Sequence, residues 1–385
     1  MQGVGFAATR DLISHLRHQP DAGDVLGRPV SHALGFGISQ GGRYLRHFVS
    51  AGFNTGEDGR RVFDGMLAHS AGAGRLFFNV RFGQPFRTNT RHEDHDFPES
   101  WFPFSAARLP DPVSVASGSV LAGDGNDPLL IQTNTSSEYW QKGASLLHTD
   151  PLGARDVELP DNARAYLIAG TQHSGRAGLS TDRGPCANLR NPHDPMPALR
   201  ALLVALDDWV VEGRPPPPSR VPSIGRDTLV PAAGIGFPEI PGVAVAGELN
   251  GIGAPPAPYR PLVPRVDADG NETDGIMLPD VAVPLGTFTG WNLYRPPYPA
   301  GELADRDGSW IPFAPTAEAR AATGDSRRSI AERYPMKDDY VALVAAAGAA
   351  LVADRLLLPD DAARYVARAG SLSWAGRGSG PGCPA

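Results

Sequence analysis

Apolar positions along this chain follow a helical rhythm in some stretches and form short continuous runs in others, and the alternation predicts a sheet covered by helices. Over residues 8–18, Leu12 and Leu16 recur at helical spacing against Asp11 and Arg17. A loop with Pro20, Gly23, Gly27 and Pro29 leads into the mostly apolar run VSHALGFGI at 30–38. Over 40–51, Tyr44, Leu45, Phe48 and Val49 then share one helical stripe. The order is helix, buried strand, sharp turn, helix. Further buried strands are predicted over 62–68, 129–133 and 165–169, each apolar in the way of a parallel sheet covered on both faces.

Between the second and third strands lie about 60 residues rich in aromatics and proline, without a period, as in a lid or binding surface. Asp194 is placed to cap a helix whose first residue is Pro195, whose stripe is Leu199, Leu202, Leu203, Leu206 and Trp209, and whose end is near Gly213. Pro215 to Pro218 form a stiff connector. Beyond it, 219–315 reads as extended and Pro-rich with short strands, and 316–370 as helical. The longest apolar run, 340–353, is 14 residues, too short to span a bilayer. Its Tyr340, Val344, Ala347 and Leu351 mark a buried amphipathic helix. The expected organisation is an α/β core over 1–214, with a lid-like insertion at about 70–128, and a Pro-rich extension with C-terminal helices over 215–385, packed on the core.

Composition agrees with a loop-rich globular protein. Of 385 residues, 45 are Gly and 38 are Pro, a share well above the ~12% usual and unlike a coiled coil or helical bundle. Apolar residues at 41% against 20% charged leave enough surface for a sizeable core. A net charge of −7 carries no nucleic-acid footprint. Arg10, Asp11, His15 and Arg17 break any apolar signal segment at this N-terminus, so the default localisation is cytoplasmic, left open if a front section is missing, and no membrane partner is expected. Cys186 and Cys383 have no metal or redox spacing, and their disulfide state is left open.

Gly37-Ile38-Ser39-Gln40-Gly41 matches G-x-S-x-G where a strand must turn directly into a helix. Such a turn exposes the serine hydroxyl, the flanking glycines remove Cβ clashes, and the Gln40 N–H at the helix start is offered to a developing oxyanion. The alternative is a structural Gly-rich turn. A dinucleotide fingerprint fails, because the position three beyond Gly37 is Gln40 and no acidic residue follows at the end of a second strand. Chain order in this class is Ser, then acid, then His. His173 follows the fourth strand in a loop able to reach Ser39, whereas His148 and His193 do not directly follow a parallel strand. Glu138, after the third strand, is the acid that would hold the His173 tautomer. Its alternative is a helix-start carboxylate with Ser136 or Ser137 as cap, and Asp150 and Asp156 are the reserve acids.

The segments GFGISQGGRYLRHF, VFDGMLAH, TNTSSEYWQKGASLLHTD and YLIAGTQH together resemble the bacterial "alpha/beta hydrolase domain" family. The resemblance continues through PALRALLVALDDWV and, more loosely, VAVPLGTFTGWNLYRPP and GSWIPFAP, covering most of the chain. It implies a partial α/β-hydrolase fold with a mostly parallel sheet and a serine hydrolase, an esterase acting on a small-molecule ester, with Ser39, Glu138 and His173 as the triad. It names no substrate and no cofactor.

Only 38 residues precede Ser39, which leaves room for one helix and strand but not for four earlier strands. The chain is therefore expected to be the C-terminal part of a larger hydrolase, truncated, mis-started or a divergent minimal form. The nucleophile strand becomes a sheet edge that a homo-oligomer would cover, and the oxyanion site keeps Gln40 but loses its partner donor. The alternative function is thus an impaired or inactive fragment acting as a scaffold or oligomerising protein. His92-Glu93-Asp94-His95-Asp96 is not H-E-x-x-H and reads as a polar loop at the pocket mouth rather than a metal site. His69, at the end of the second strand, is a candidate pocket wall or a simple strand terminus. Trp140 and Trp291 are candidates for an apolar substrate pocket or for core.

Overall fold

The computed structural model describes residues 4–19, 26–28, 30–76, 100–173, 175, 182–249 and 259–374. Helix α1 (Gly5–His18) leads to strand β1 (Leu34–Ile38), helix α2 (Gln40–Ser50) and strand β2 (Gly65–His69). After the insertion come strand β3 (Leu129–Thr135), helix α3 (Ser136–Gln141) and strand β4 (Ala163–Ile168). The strands are parallel in the order β1-β2-β3-β4, with Ile38 beside His69, His69 beside Thr133, and Thr135 beside Ile168. Parallel strands in sequence order put all four C-terminal ends on one edge. The turns leaving that edge carry Ser39, Ser70, Ser136 and Gly170.

Successive side chains of a strand point to opposite faces, so both sheet faces must be covered. Met66 and Leu130 pack with Phe6 of α1 and Leu45, Phe48 and Val49 of α2. Leu67 and Ile131 pack with Leu199, Leu202 and Leu206 of helix α4 (Met196–Glu212). The helix starts at Met196 with Pro195 as its N-cap, one residue later than predicted, although the Asp194 carboxylate still accepts the Met196 N–H at 3.0 Å; Gly213, at φ 70°, ends it as predicted. Strand β1 is shorter than the apolar run, because Ser31 and His32 are exposed and pairing starts at Leu34.

Two short strands of the Pro-rich stretch, β6 (Gly286–Phe288) and β7 (Ser309–Pro312), form a small antiparallel sheet with β5 (Leu189–Arg190), which precedes α4, in the order β6-β7-β5. Helices α5 (Lys337–Ala353) and α6 (Pro359–Ser371) follow. Tyr340, Val344 and Leu351 of α5 lie in the same buried cluster as Leu67 and Leu202, so the C-terminal helices share a core with the main sheet. Among the described residues β1 is paired on one side only, and its Phe36 and Ile38 are 45% and 40% exposed. No helix among the described residues is long and apolar enough to cross a membrane. The His92–Asp96 segment and Cys383 lie outside the described residues. Cys186 is buried, its Sγ 3.5 Å from the Asp307 carboxylate.

Candidate active site

Ser39 occupies the single residue between β1 and α2, at φ 57° and ψ −113°. A non-glycine residue held there costs about 1–3 kcal/mol and persists only where its surroundings fix it. Here the Ser39 N–H donates to the His69 carbonyl at 2.8 Å, and the Ser39 carbonyl accepts the Arg43 N–H at 2.9 Å. The glycines that permit the turn are not both those of the motif. A Cβ on Gly37 would stand 2.4 Å from the Gly41 backbone, and one on Gly42 2.6 Å from the His69 carbonyl, whereas one on Gly41 would meet nothing within 4 Å. The steric need falls on Gly37 and Gly42, because these sit where helix and strand backbones touch.

His173 lies five residues beyond β4 in the loop that starts at Ala169. Its Nε2 is 2.8 Å from Ser39 Oγ and its Nδ1 is 2.5 Å from Glu138 Oε1. The carboxylate can only accept, so Nδ1–H donates to it and Nε2 is left to accept the Ser39 hydroxyl. Glu138 is the third residue of α3, and its two carboxylate oxygens have different partners. Its Oε1 faces His173, while Oε2 accepts the Thr135 N–H at 2.9 Å and the Thr135 hydroxyl, forming a capping box. The cap is therefore Thr135 and not Ser136 or Ser137. Burial pushes the Glu138 carboxyl up, but the charge and hydrogen bond of His173, the Thr135 hydroxyl and the nearby His69 together hold it down to about 2.

Gln40 is the first residue of α2, where an N–H has no helical partner and the positive end of the helix dipole adds to it. His69 is buried beside the Ser39 turn rather than at an open wall. Its Nδ1 pairs with Thr133 Oγ1 at 2.8 Å and its Nε2 with Ser70 Oγ at 3.0 Å, leaving neither nitrogen for a ligand. Burial, helped by the nearby His173, pushes the imidazole down to about 4 against the pull of Glu138, so it is neutral near pH 7. Trp140 and Trp291 are both buried, with ring centroids 5.8 Å apart, in a cluster with Val230, Val263 and Leu293, so both belong to the core. The reserve acids are occupied elsewhere. Asp150 accepts the Ala154 and Arg155 N–H groups, and Asp156 those of Ile224 and Gly225. His148 pairs with the Tyr139 hydroxyl and His193 with the Gly170 carbonyl. Among the described residues, no group of three or more His, Cys, Asp or Glu side chains could hold a metal ion.

With the Ser39, His173 and Glu138 side chains in one hydrogen-bonded chain at the carboxyl edge of a parallel sheet, comparison with known proteins is informative. The family described as Alpha/beta hydrolase domain matches residues 1–367. The chain belongs to that family. No curated protein and no solved structure matches it significantly. In the alpha/beta hydrolase superfamily to which this chain belongs the nucleophile, acid and histidine follow one another in that chain order, and Ser39, Glu138 and His173 occur in the same order here.

One residue of the site region was not visible in the sequence. Glu272, from the Pro-rich stretch, reaches under the His173 loop, where its Oε2 accepts the Ser136 hydroxyl at 2.6 Å and the Gly170 N–H at 2.8 Å. Ser136 Oγ in turn accepts the Thr171 N–H at 3.3 Å, and the Gln172 side chain accepts the Gly308 N–H at 2.8 Å. Burial pushes the Glu272 carboxyl up to about 7, with the Ser136 hydroxyl and Gly170 N–H opposing. These contacts fix the loop on which His173 rides. No local spacing announces them, since Glu272 and Ser136 are 136 residues apart.

Proposed function

We propose that this hydrolase cleaves carboxylic esters through an acyl-enzyme on Ser39. The observation that carries the reading is the Ser39–His173–Glu138 hydrogen-bond chain. His173 Nε2 takes the hydroxyl proton as Ser39 Oγ attacks the ester carbonyl carbon, and Glu138 stabilises the resulting imidazolium. The carbonyl oxygen gains the negative charge and meets the Gln40 N–H. Collapse of the tetrahedral intermediate breaks the bond to the alcohol oxygen, which leaves with the proton from His173. Water, deprotonated by the same Nε2, then attacks the acyl carbon. The acid departs and Ser39 regains its proton. Hydrolysis of p-nitrophenyl esters by the parent chain, lost in Ser39→Ala, supports this reading; a folded parent chain with no turnover above a Ser39→Ala control refutes it.

A second reading, a scaffold or oligomerising protein with weak turnover, draws on a different observation. Among the described residues, strand β1 has one edge unpaired next to Ser39, with Phe36 and Ile38 exposed. On this reading a second copy covers the edge. Sedimentation would then find an assembly that Phe36→Lys dissociates, and a parent chain sedimenting as a monomer removes the reading.

A further inference from the structure

A cavity of about 260 Å³ lies between the small sheet and helices α5 and α6, and none of Ser39, Glu138 or His173 lines it. It is larger than the ~150 Å³ that accommodates a benzene ring in an apolar protein cavity. Leu285, Phe288, Val344 and Leu372 form its apolar walls. The polar groups collect around Asp280, whose Oδ1 is paired with Arg368, so this part of the lining carries no net charge. Tyr340 and Tyr365 also line the cavity; neither hydroxyl hydrogen-bonds to a described residue, and the Asp280 charge reaches both phenols.

His193 supplies the most specific feature. Its side chain is fully buried, and its Nδ1 lies 3.1 Å from the Gly170 carbonyl, so Nδ1–H donates there. That leaves Nε2 as a lone pair without a partner, 3.9 Å from Asp280 Oδ2. Burial keeps the ring neutral. Two acceptors thus face each other with no donor between them, an arrangement that is costly unless something donates into it. The ion pair and the neutral imidazole leave no uncompensated charge for an ionic ligand.

We propose that this cavity binds a compact neutral molecule about one ring in size that carries a hydroxyl or amino donor. The ring fills the apolar end, and the donor meets His193 Nε2 and Asp280 while the tyrosine hydroxyls satisfy its lone pairs. The site is separate from Ser39, although His193 also holds the Gly170 carbonyl at the root of the His173 loop.

The test is ligand-observed NMR and calorimetric titration of the full chain with 4-ethylphenol, and with ethylbenzene as the donor-free match. 4-Ethylphenol is expected to bind at least tenfold more tightly than ethylbenzene, because the latter leaves the buried His193 Nε2 unpaired. Val344→Trp, which fills the cavity, is expected to abolish binding. If that variant does not fold, Ala369→Leu narrows the same space with a smaller change. Tyr365→Phe keeps the volume and is expected to reduce the preference for the phenol. No binding up to the solubility limit, equal affinity for the two probes, or binding indifferent to a folded filling variant overturns the proposal and leaves a packing void.

Discussion

Glu138→Gln separates the role of this residue in the fold from its role toward His173. Glutamine is also competent at the third position of a capping box, so its carbonyl oxygen stays on the Thr135 N–H and hydroxyl. That choice turns the amide NH2 toward His173 Nδ1, which must then accept. The proton moves to Nε2, which no longer accepts from Ser39. Loss of the correct tautomer in a Ser-His-acid site costs about ten-thousandfold in turnover, or about 5 kcal/mol of barrier. Stability responds separately. The Glu138 carboxyl is held at about 2 against an ordinary 4.5, a difference of about 3 kcal/mol. Because the folded value is depressed, this contribution is present above pH 4.5 and is lost as the pH falls through about 2. Glu138→Gln is therefore expected to be less stable at pH 7, by up to about 3 kcal/mol, with the difference closing in acid. Initial rates on p-nitrophenyl butyrate and urea titrations at several pH values measure the two effects. Turnover within tenfold of the parent, alongside an inactive Ser39→Ala, would refute the tautomer argument.

Other substitutions probe the supports of the site. Glu272 is raised from 4.5 to about 7, so its ionised form is the disfavoured one in the folded chain. Its contribution to stability is full below pH 4.5 and is lost as the pH rises through about 7, a decline of about 3 kcal/mol that Glu272→Gln should remove from urea titrations between pH 4 and 8. Gly42→Ala places a methyl against the His69 carbonyl and is expected to cost about 1–3 kcal/mol in thermal unfolding and to slow turnover. Gly41→Ala meets open space in a helical position and is expected to be neutral or up to about 1 kcal/mol stabilising. Equal damage from the two glycine variants would contradict the account of the turn.

The pattern of buried runs and helical stripes made the four parallel strands legible, because strands covered on both faces write continuous apolar segments. The meeting of Ser39, Glu138 and His173 was legible for a related reason: each lies shortly after the end of a strand, and parallel strands in sequence order bring those ends to one edge. Thr135 as cap was missed because β3 runs two residues beyond its apolar stretch, into Asn134 and Thr135. Glu272 was not legible at all. It pairs with Val266 in an isolated antiparallel bridge of the Pro-rich stretch, and only tertiary packing brings its carboxylate to Ser136 and Gly170. The division of labour between Gly37, Gly41 and Gly42 was likewise invisible, since it depends on which backbone atoms lie opposite each Cα.

The central claim is that Ser39 is the nucleophile activated by His173, and covalent labelling tests it most directly. The parent chain is treated with a fluorophosphonate, digested, and mapped by mass spectrometry, beside Ser39→Ala and His173→Ala. The account predicts one phosphonyl adduct on the peptide containing Ser39, absent in Ser39→Ala and formed far more slowly in His173→Ala. A folded parent chain that stays unlabelled at Ser39, or labels there at the same rate without His173, would contradict it.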